Sequence, residues 1–191
     1  RAALVDPEPH PLLGRRLRGA AAQWQQEFSG AHPAWLADHA LGTEAVFPAA
    51  GYLELMLAAG GELFGAQTLE LEHVRFAQAL FLREDAPEFV LTVFDAERET
   101  VRVLSRRRDS EPEWTLRAQA VLRARPLGAP PAPPLPATDA AVFDTAAFYA
   151  STAHHGYAYG PAFQTVHTLC HDGARARAEV GTVAHAKNVI L

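Results

Sequence analysis

The stretch AAGYLELMLAAGGELFG, residues 49–65, follows Pro48 and consists mostly of apolar and small residues. Drawn as a helix over 49–64, it carries apolar side chains on nearly every side, which is typical of a helix that is buried around most of its circumference. Proline fixes φ at the helix entrance. The stretch therefore predicts one long buried helix, whose end is marked by three glycines: Gly60, Gly61 and Gly65.

Strand patterns surround this helix, and no second helix alternates with them. The alternation over 68–82 changes phase near His73, as a β-bulge would produce. One buried helix followed by consecutive strands predicts an antiparallel sheet wrapped around a helix, and argues against a doubly wound parallel sheet. The predicted strands are 23–28, 68–82, 88–95, 100–107 and 113–124.

A proline-rich stretch, PLGAPPAPPLP at 126–136, holds six prolines and cannot form a helix or a central strand. We interpret it as a linker, with a loop inside one domain as the alternative. The predicted units are residues 1–125, a linker at 126–140, and a second helix-and-sheet unit that begins in 141–191. This second unit should start with a helix at 144–156, capped by Asp144 or Thr145, and continue as a hairpin around Asp172-Gly173.

Composition excludes several classes of protein. The chain has 191 residues, 49% of them hydrophobic and 20% charged, as in ordinary globular proteins. The net charge is −5, and acidic residues interrupt the one basic cluster, SRRRDSE at 105–111, so we expect no nucleic-acid partner. One cysteine excludes an internal disulfide, and no apolar run reaches the ~18 residues of a membrane span. We expect a cytoplasmic chain cut from a longer protein.

His39 lies in DHALGTEAVFP, residues 38–48, nine residues before the proline that opens the helix. A helix N-terminus offers unpaired N–H groups that could polarise an acyl carbonyl while a neutral imidazole removes a proton from the neighbouring carbon. The alternative is a histidine without a chemical role. Asp38 should point to the opposite side of an extended segment and so could not easily share this work.

A second stretch, YAYGPAFQ at 157–164, is either a turn that feeds a strand or an aromatic wall beside an apolar slot. Taken together, the two stretches resemble dehydratase domains of modular type I polyketide synthases. HALGTEAVFP is similar to their HxxxGxxxxP signature and YGPAFQ to their YGPxFQ signature. HPLLG (10–14), WLADH (35–39) and GYLELML (51–57) resemble the same family in the same order.

The resemblance implies an α+β double hotdog, in which an antiparallel sheet wraps a long helix twice, with the second hotdog incomplete here. It implies removal of water from a β-hydroxyacyl thioester carried on the phosphopantetheine arm of an acyl carrier protein, giving an α,β-unsaturated chain. The domain itself would bind no cofactor, would form a homodimer and would contact neighbouring synthase domains. His39 would be the base, and the substrate would contact Thr43, Val46, Phe47, Pro48, Tyr157, Tyr159, Gly160, Pro161 and Phe163.

Two departures from the family pattern leave other functions open. Thr43 occupies the position of the signature glycine, with Gly42 one place early, so the slot could be narrower or the chemistry could be isomerisation or cyclisation. The family's catalytic aspartate, which follows YGPxFQ, has no counterpart in this chain. We therefore expect dehydration by this chain alone to be severely impaired, and a non-catalytic acyl-binding or scaffold module remains an alternative.

The motif HTLCH, residues 167–171, suggests a zinc site. On a strand, however, His167 and His171 share one face while Cys170 points to the other. Such a set does not form a tetrahedral site, so we predict no metal.

Overall fold

The computed structural model describes residues 10–65, 68–108, 113–125, 141–171 and 176–181. The predicted helix is present as α1, Ala49–Phe64, and its bounds match the prediction. Gly60 and Gly61 lie in its last turns, and Gly65 caps its end, with the Gly65 N–H donating to the Gly61 carbonyl. Gly60 is buried against Leu69 and Leu122, which explains a small residue at that point.

Within these described ranges, thirteen strands form three antiparallel sheets. In chain order they are β1 (Arg15–Arg16), β2 (Ala22–Phe28), β3 (His39–Leu41), β4 (Glu44–Val46), β5 (Thr68–Phe76), β6 (Phe81–Leu82), β7 (Glu88–Asp95), β8 (Thr100–Arg107), β9 (Thr115–Arg125), β10 (Ala141–Phe143), β11 (Tyr157–Tyr159), β12 (Val166–His171) and β13 (Ala176–Val180).

The largest sheet has the order β1-β2-β7-β8-β9-β5 and carries α1 on one face. Between helix and sheet lies the hydrophobic core, in which Trp24, Phe28, Met56 and Val103 are fully buried. The Trp24 indole also donates a hydrogen bond to a side chain of α1, Glu62, at 2.6 Å. A sheet that wraps one buried helix is the architecture predicted for the front of the chain.

The predicted strand over 68–82 is two strands. The bulge is confirmed, because the β5–β9 register shifts between Glu72 and Arg75, and His73 has φ of 53°. β5 then ends at Phe76, and the remaining apolar pair forms β6 in a different sheet.

The second sheet, β11-β3-β4-β6, joins the front of the chain to the part that follows the proline-rich stretch. Leu41 pairs with Glu44, so β3 and β4 form a hairpin with Gly42 and Thr43 in its two-residue turn. Gly42 has φ of +62°, as the first central residue of a type II′ turn requires. Its N–H donates to the Gly156 carbonyl at 2.7 Å.

The third sheet, β10-β12-β13, contains the predicted hairpin: β12 pairs with β13, while residues 172–175 between them lie outside the described residues, as do residues 126–140. The predicted helix is α2, Thr145–His154, and its Asp144 cap accepts a hydrogen bond from the Ala146 N–H at 2.9 Å. Neither α2 nor β13 contains a fully buried residue. In the described part of the chain, no helix has the length and apolar character needed to cross a membrane.

Candidate active site

His39 begins β3, directly after a short 3₁₀ helix at Ala34–Asp38. Its Nδ1 lies 2.8 Å from the Val46 carbonyl oxygen, on the strand paired with β3. A carbonyl can only accept, so Nδ1 carries the hydrogen and the lone pair of the neutral ring is on Nε2. Within the described residues Nε2 has no hydrogen-bond partner. The imidazole is therefore oriented with a free basic nitrogen.

Aromatic rings from YAYGPAFQ surround this half-buried imidazole. The ring centroids of Tyr159 and Phe163 lie 5.5 Å and 4.9 Å from that of His39. Tyr159 is also the residue paired with His39 across the β3–β11 ladder, which places the two side chains on the same face. Trp35 packs on Phe163 from the 3₁₀ helix, at 6.0 Å. The two stretches singled out in the sequence therefore meet at one site.

Asp38, directly before His39, is hydrogen-bonded to the turn that follows Tyr159. Its carboxylate Oδ2 accepts a hydrogen bond from the Ala162 N–H at 2.8 Å, and its main-chain carbonyl accepts one from the Gly160 N–H at 2.8 Å. A Cβ atom at position 160 would lie 2.3 Å from the Asp38 Oδ1 atom. Glycine is thus the residue that lets this turn approach the carboxylate.

The other residues predicted near the base are divided between the site and the core. Val46 supplies the carbonyl that orients His39, and Pro48 is buried at the start of α1. Phe47 is only 3% exposed, so its ring belongs to the core and presents little surface to a substrate. Thr43 is exposed at the tip of the hairpin. The Phe47 ring packs against those of Phe28 and Tyr52, at 5.1 Å and 4.9 Å.

The residues predicted for the opposing wall are more open. Tyr157 is 50% exposed and stacks on Tyr159 at 6.4 Å, and Pro161 is exposed in the turn. Of this group, Tyr159 and Phe163 contact the imidazole, while Gly160 contacts Asp38.

An open cavity of about 640 Å³ lies beside the site, between α2 and the strands β3 and β11. The residues that form its wall include both neighbours of His39, Asp38 and Ala40, but not His39 itself. Alanines form most of the lining: Ala37, Ala40, Ala146, Ala150, Ala153 and Ala158, with Asp38, Tyr149, Tyr159, Gly160 and Gln164.

The HTLCH motif lies on β12, where His167 is exposed. No group of three or more histidine, cysteine, aspartate or glutamate side chains that could hold a metal ion is found among the described residues.

Sequence reasoning missed two parts of the site. The acceptor for Nδ1 is a main-chain carbonyl, which a residue of any type at position 46 would supply. The bond that the Asp38 carboxylate accepts from the Ala162 N–H joins residues 124 positions apart, so no local pattern reveals it. The only available signal was an acidic residue directly before a candidate base.

Comparison with known proteins supports this assembly of motifs. Residues 10–106 match the family described as the polyketide synthase dehydratase domain, and residues 127–189 match the polyketide synthase dehydratase N-terminal domain. The chain is 35% identical over 182 residues to mycoketide-CoA synthase of Mycobacterium tuberculosis, covering 90% of this chain and 4% of that protein. It is 33% identical over 192 residues to polyketide synthase GfsE of Streptomyces halstedii, covering 94% and 5%.

Solved structures of dehydratase domains support the same family assignment. GphF dehydratase 1 is 29% identical with a TM-score of 0.79, covering 92% of this chain and 64% of that one. The dehydratase domain from the CurK module of curacin polyketide synthase, at 23% identity and a TM-score of 0.79, shows the same fold over 93% of this chain and 65% of that one. The chain thus spans about two thirds of these solved dehydratases and about a twentieth of the curated relatives. With hotdog folds as its structural neighbours and two family matches along its length, the chain belongs to the dehydratase domains of modular type I polyketide synthases.

Proposed function

We propose that His39 is the general base of a dehydratase site that acts on a β-hydroxyacyl thioester. The observation that carries this proposal is the hydrogen bond from Nδ1 to the Val46 carbonyl, since it leaves the lone pair of the neutral imidazole on Nε2. The tyrosine and phenylalanine rings beside the imidazole suit an apolar acyl chain.

The proposed reaction begins when Nε2 takes a proton from the carbon next to the thioester carbonyl. The electron pair of that C–H bond forms the new double bond, the β C–O bond breaks, and the hydroxyl leaves as water after it accepts a proton. We assign His39 the first proton transfer only. The family resemblance implies an aspartate as donor of the second proton, and no described residue matches its motif.

We further propose that the substrate arrives on the phosphopantetheine arm of an acyl carrier protein, and that the domain works as a homodimer among other synthase domains in the cytoplasm. The size of the curated relatives supports neighbouring domains, because this chain covers about a twentieth of each.

The first proton transfer can be tested without the second. In deuterated water, the chain should exchange the α-hydrogens of a β-hydroxyacyl pantetheine thioester, measured by mass spectrometry as deuterium gained. His39→Gln should lower the exchange rate by about 10²- to 10⁴-fold, because the base is lost. His155→Gln is a matched control, since His155 is exposed and its Nδ1 also bonds a main-chain carbonyl, at 2.7 Å.

Loss of water from the same thioester, scored by mass, tests the complete reaction. Exchange that survives His39→Gln at the wild-type rate would remove this histidine from the role of base. An equal loss in both histidine variants would also contradict the assignment.

Double-bond isomerisation is a second candidate. The chain is 29% identical to the GphF dehydratase 1 structures, one of which is described as an isomerase-inactive variant. If isomerisation is the reaction, an α,β-unsaturated thioester should be converted to its β,γ isomer, which ¹H NMR of the vinyl protons would detect. A dehydratase without isomerase activity would leave that thioester unchanged.

A further inference from the structure

We propose that Asp38 is a positioning residue, whose carboxylate holds the Gly160–Phe163 turn against the strand of His39 and so sets where the aromatic rings meet the imidazole. The proposal rests on the proposed function, in which that imidazole is the base.

Asp38 accepts two hydrogen bonds from the turn, one at its side chain and one at its main chain. The carboxylate accepts the Ala162 N–H and the main-chain carbonyl accepts the Gly160 N–H, each at 2.8 Å. A bond from an N–H group to a carboxylate is stronger than one between neutral groups. Asp38 is also half-buried, which reduces competition from water.

The turn is compact, so a shift at one residue moves the next. The N–H groups of Phe163 and Gln164 both donate to the Gly160 carbonyl, at 2.9 Å and 3.2 Å. Phe163 therefore follows Gly160 and Ala162, the two residues that Asp38 holds. Its ring lies 4.9 Å from the imidazole, and Tyr159, which precedes the turn, lies 5.5 Å from it.

Gly160 packs closely against the Asp38 carboxyl group, and only glycine leaves room for this contact. A Cβ at 160 would lie 2.3 Å from Oδ1 and 2.4 Å from the carboxyl carbon of Asp38. Gly160→Ala should therefore displace the carboxylate even though Asp38 itself is unchanged.

The test compares Asp38→Ala with Asp38→Asn, because the asparagine amide oxygen can still accept the Ala162 N–H. The readout is the His39 ring C–H resonance in a ¹H–¹³C NMR spectrum, assigned by its loss in His39→Gln. Ring currents from Phe163 and Tyr159 should shift this resonance. In Asp38→Ala it should move toward the value of a free histidine, and in Asp38→Asn it should stay near its wild-type place.

Asp144→Ala is the matched control, since it also removes a bond from a main-chain N–H to an aspartate carboxylate, at 2.9 Å, but at the α2 cap. It should lower the melting temperature through loss of the helix cap and leave the His39 resonance unmoved. If Asp38→Ala does not fold, Gly160→Ala replaces it and should move the resonance in the same direction.

The α-exchange assay adds a kinetic readout. Asp38→Ala should lower the rate at saturating thioester by up to about 10²-fold through misplacement of the site, with a smaller change in KM, and Asp38→Asn should restore most of it. A His39 resonance that is unmoved in Asp38→Ala overturns the proposal. So does an Asp38→Asn variant as impaired as the alanine variant. Because the NMR readout needs no catalysis, it still tests positioning if His39 proves not to be the base.

Discussion

At the scale of the residue, the orientation of the His39 ring depends on groups that occur in every protein, a main-chain carbonyl and a carboxylate. One main-chain carbonyl selects the tautomer, and one carboxylate fixes the turn that carries the neighbouring rings. Their contributions to stability are modest, because a hydrogen bond contributes about 0.5–1.5 kcal/mol between neutral groups and about 1.5–3 kcal/mol to a charged group. Their expected effect is on the position of the His39 Nε2 atom, and the rate of the proposed proton transfer depends on that position.

Tyr52 gives a prediction about alkaline pH. Its side chain is 3% exposed, and its hydroxyl has no partner in the part of the chain that the structure describes. Burial raises the pKa of the Tyr52 hydroxyl well above the usual tyrosine value, with Arg117 opposing the shift and Glu88 adding to it. The folded state therefore keeps this proton at a pH where the unfolded chain releases it.

Below the unfolded pKa of about 10, both states keep the Tyr52 proton and the free energy of unfolding does not depend on it. Above that pH the unfolded state releases the proton first, so the free energy of unfolding falls by up to about 1.4 kcal/mol per pH unit. In urea titrations at several pH values from about 9 to 11, the free energy of unfolding of Tyr52→Phe should fall less steeply with pH than that of the wild type. Tyr157→Phe, at a half-exposed tyrosine, is the control and should behave as wild type. Equal slopes in all three proteins would show that the Tyr52 hydroxyl does not titrate as argued.

At the scale of the element, local pattern predicted most of the structure. The bounds of α1, β7 and β8 match the predicted ranges, because continuous apolar or alternating runs between turn residues determine them locally. The assignment of Phe81–Leu82 to the same strand as 68–76 was wrong. An apolar pair can join either of two sheets, and only tertiary pairing decides which.

The β3–β4 hairpin explains how Thr43 fits in place of the signature glycine. The residue that needs positive φ is Gly42, at +62°, whereas Thr43 is not among the residues with positive φ. Gly42→Ala should thus destabilise the chain by about 1–3 kcal/mol, while Thr43→Ala should have little effect. Thermal unfolding of both variants checks this. Equal losses would mean that the turn is not type II′.

At the scale of the whole molecule, burial is uneven. Among the residues that the structure describes, the buried hydrophobic side chains lie between positions 12 and 122, around α1 and the large sheet, whereas α2 and β13 contain none. Val142, Phe143 and Val180 of the third sheet are exposed, at 76%, 44% and 54%.

Hydrogen exchange should follow this division, since regions with few buried contacts open with a low free energy. Main-chain amides of β7 and β8 should exchange slowest, and those of β12 and β13 much faster, in peptide-resolved mass spectrometry of the native chain. Uniform protection across the three sheets would contradict this expectation.

The sequence predicted both helix-and-sheet units, but the β3–β11 pairing that connects them brings together residues more than 100 positions apart and has no local signature.

The contact between Asp38 and Gly160 has a consequence for recombination. A chimera that crosses over within the proline-rich stretch would take the His39 signature from one parent and the YGPAFQ signature from the other. A donor that carries the glycine of the YGPxFQ signature keeps the contact at position 160, whereas any larger residue there would bring a methyl group against the carboxylate of the recipient. Engineered hybrids of such synthases should therefore keep glycine at position 160 wherever the other parent supplies a carboxylate at position 38.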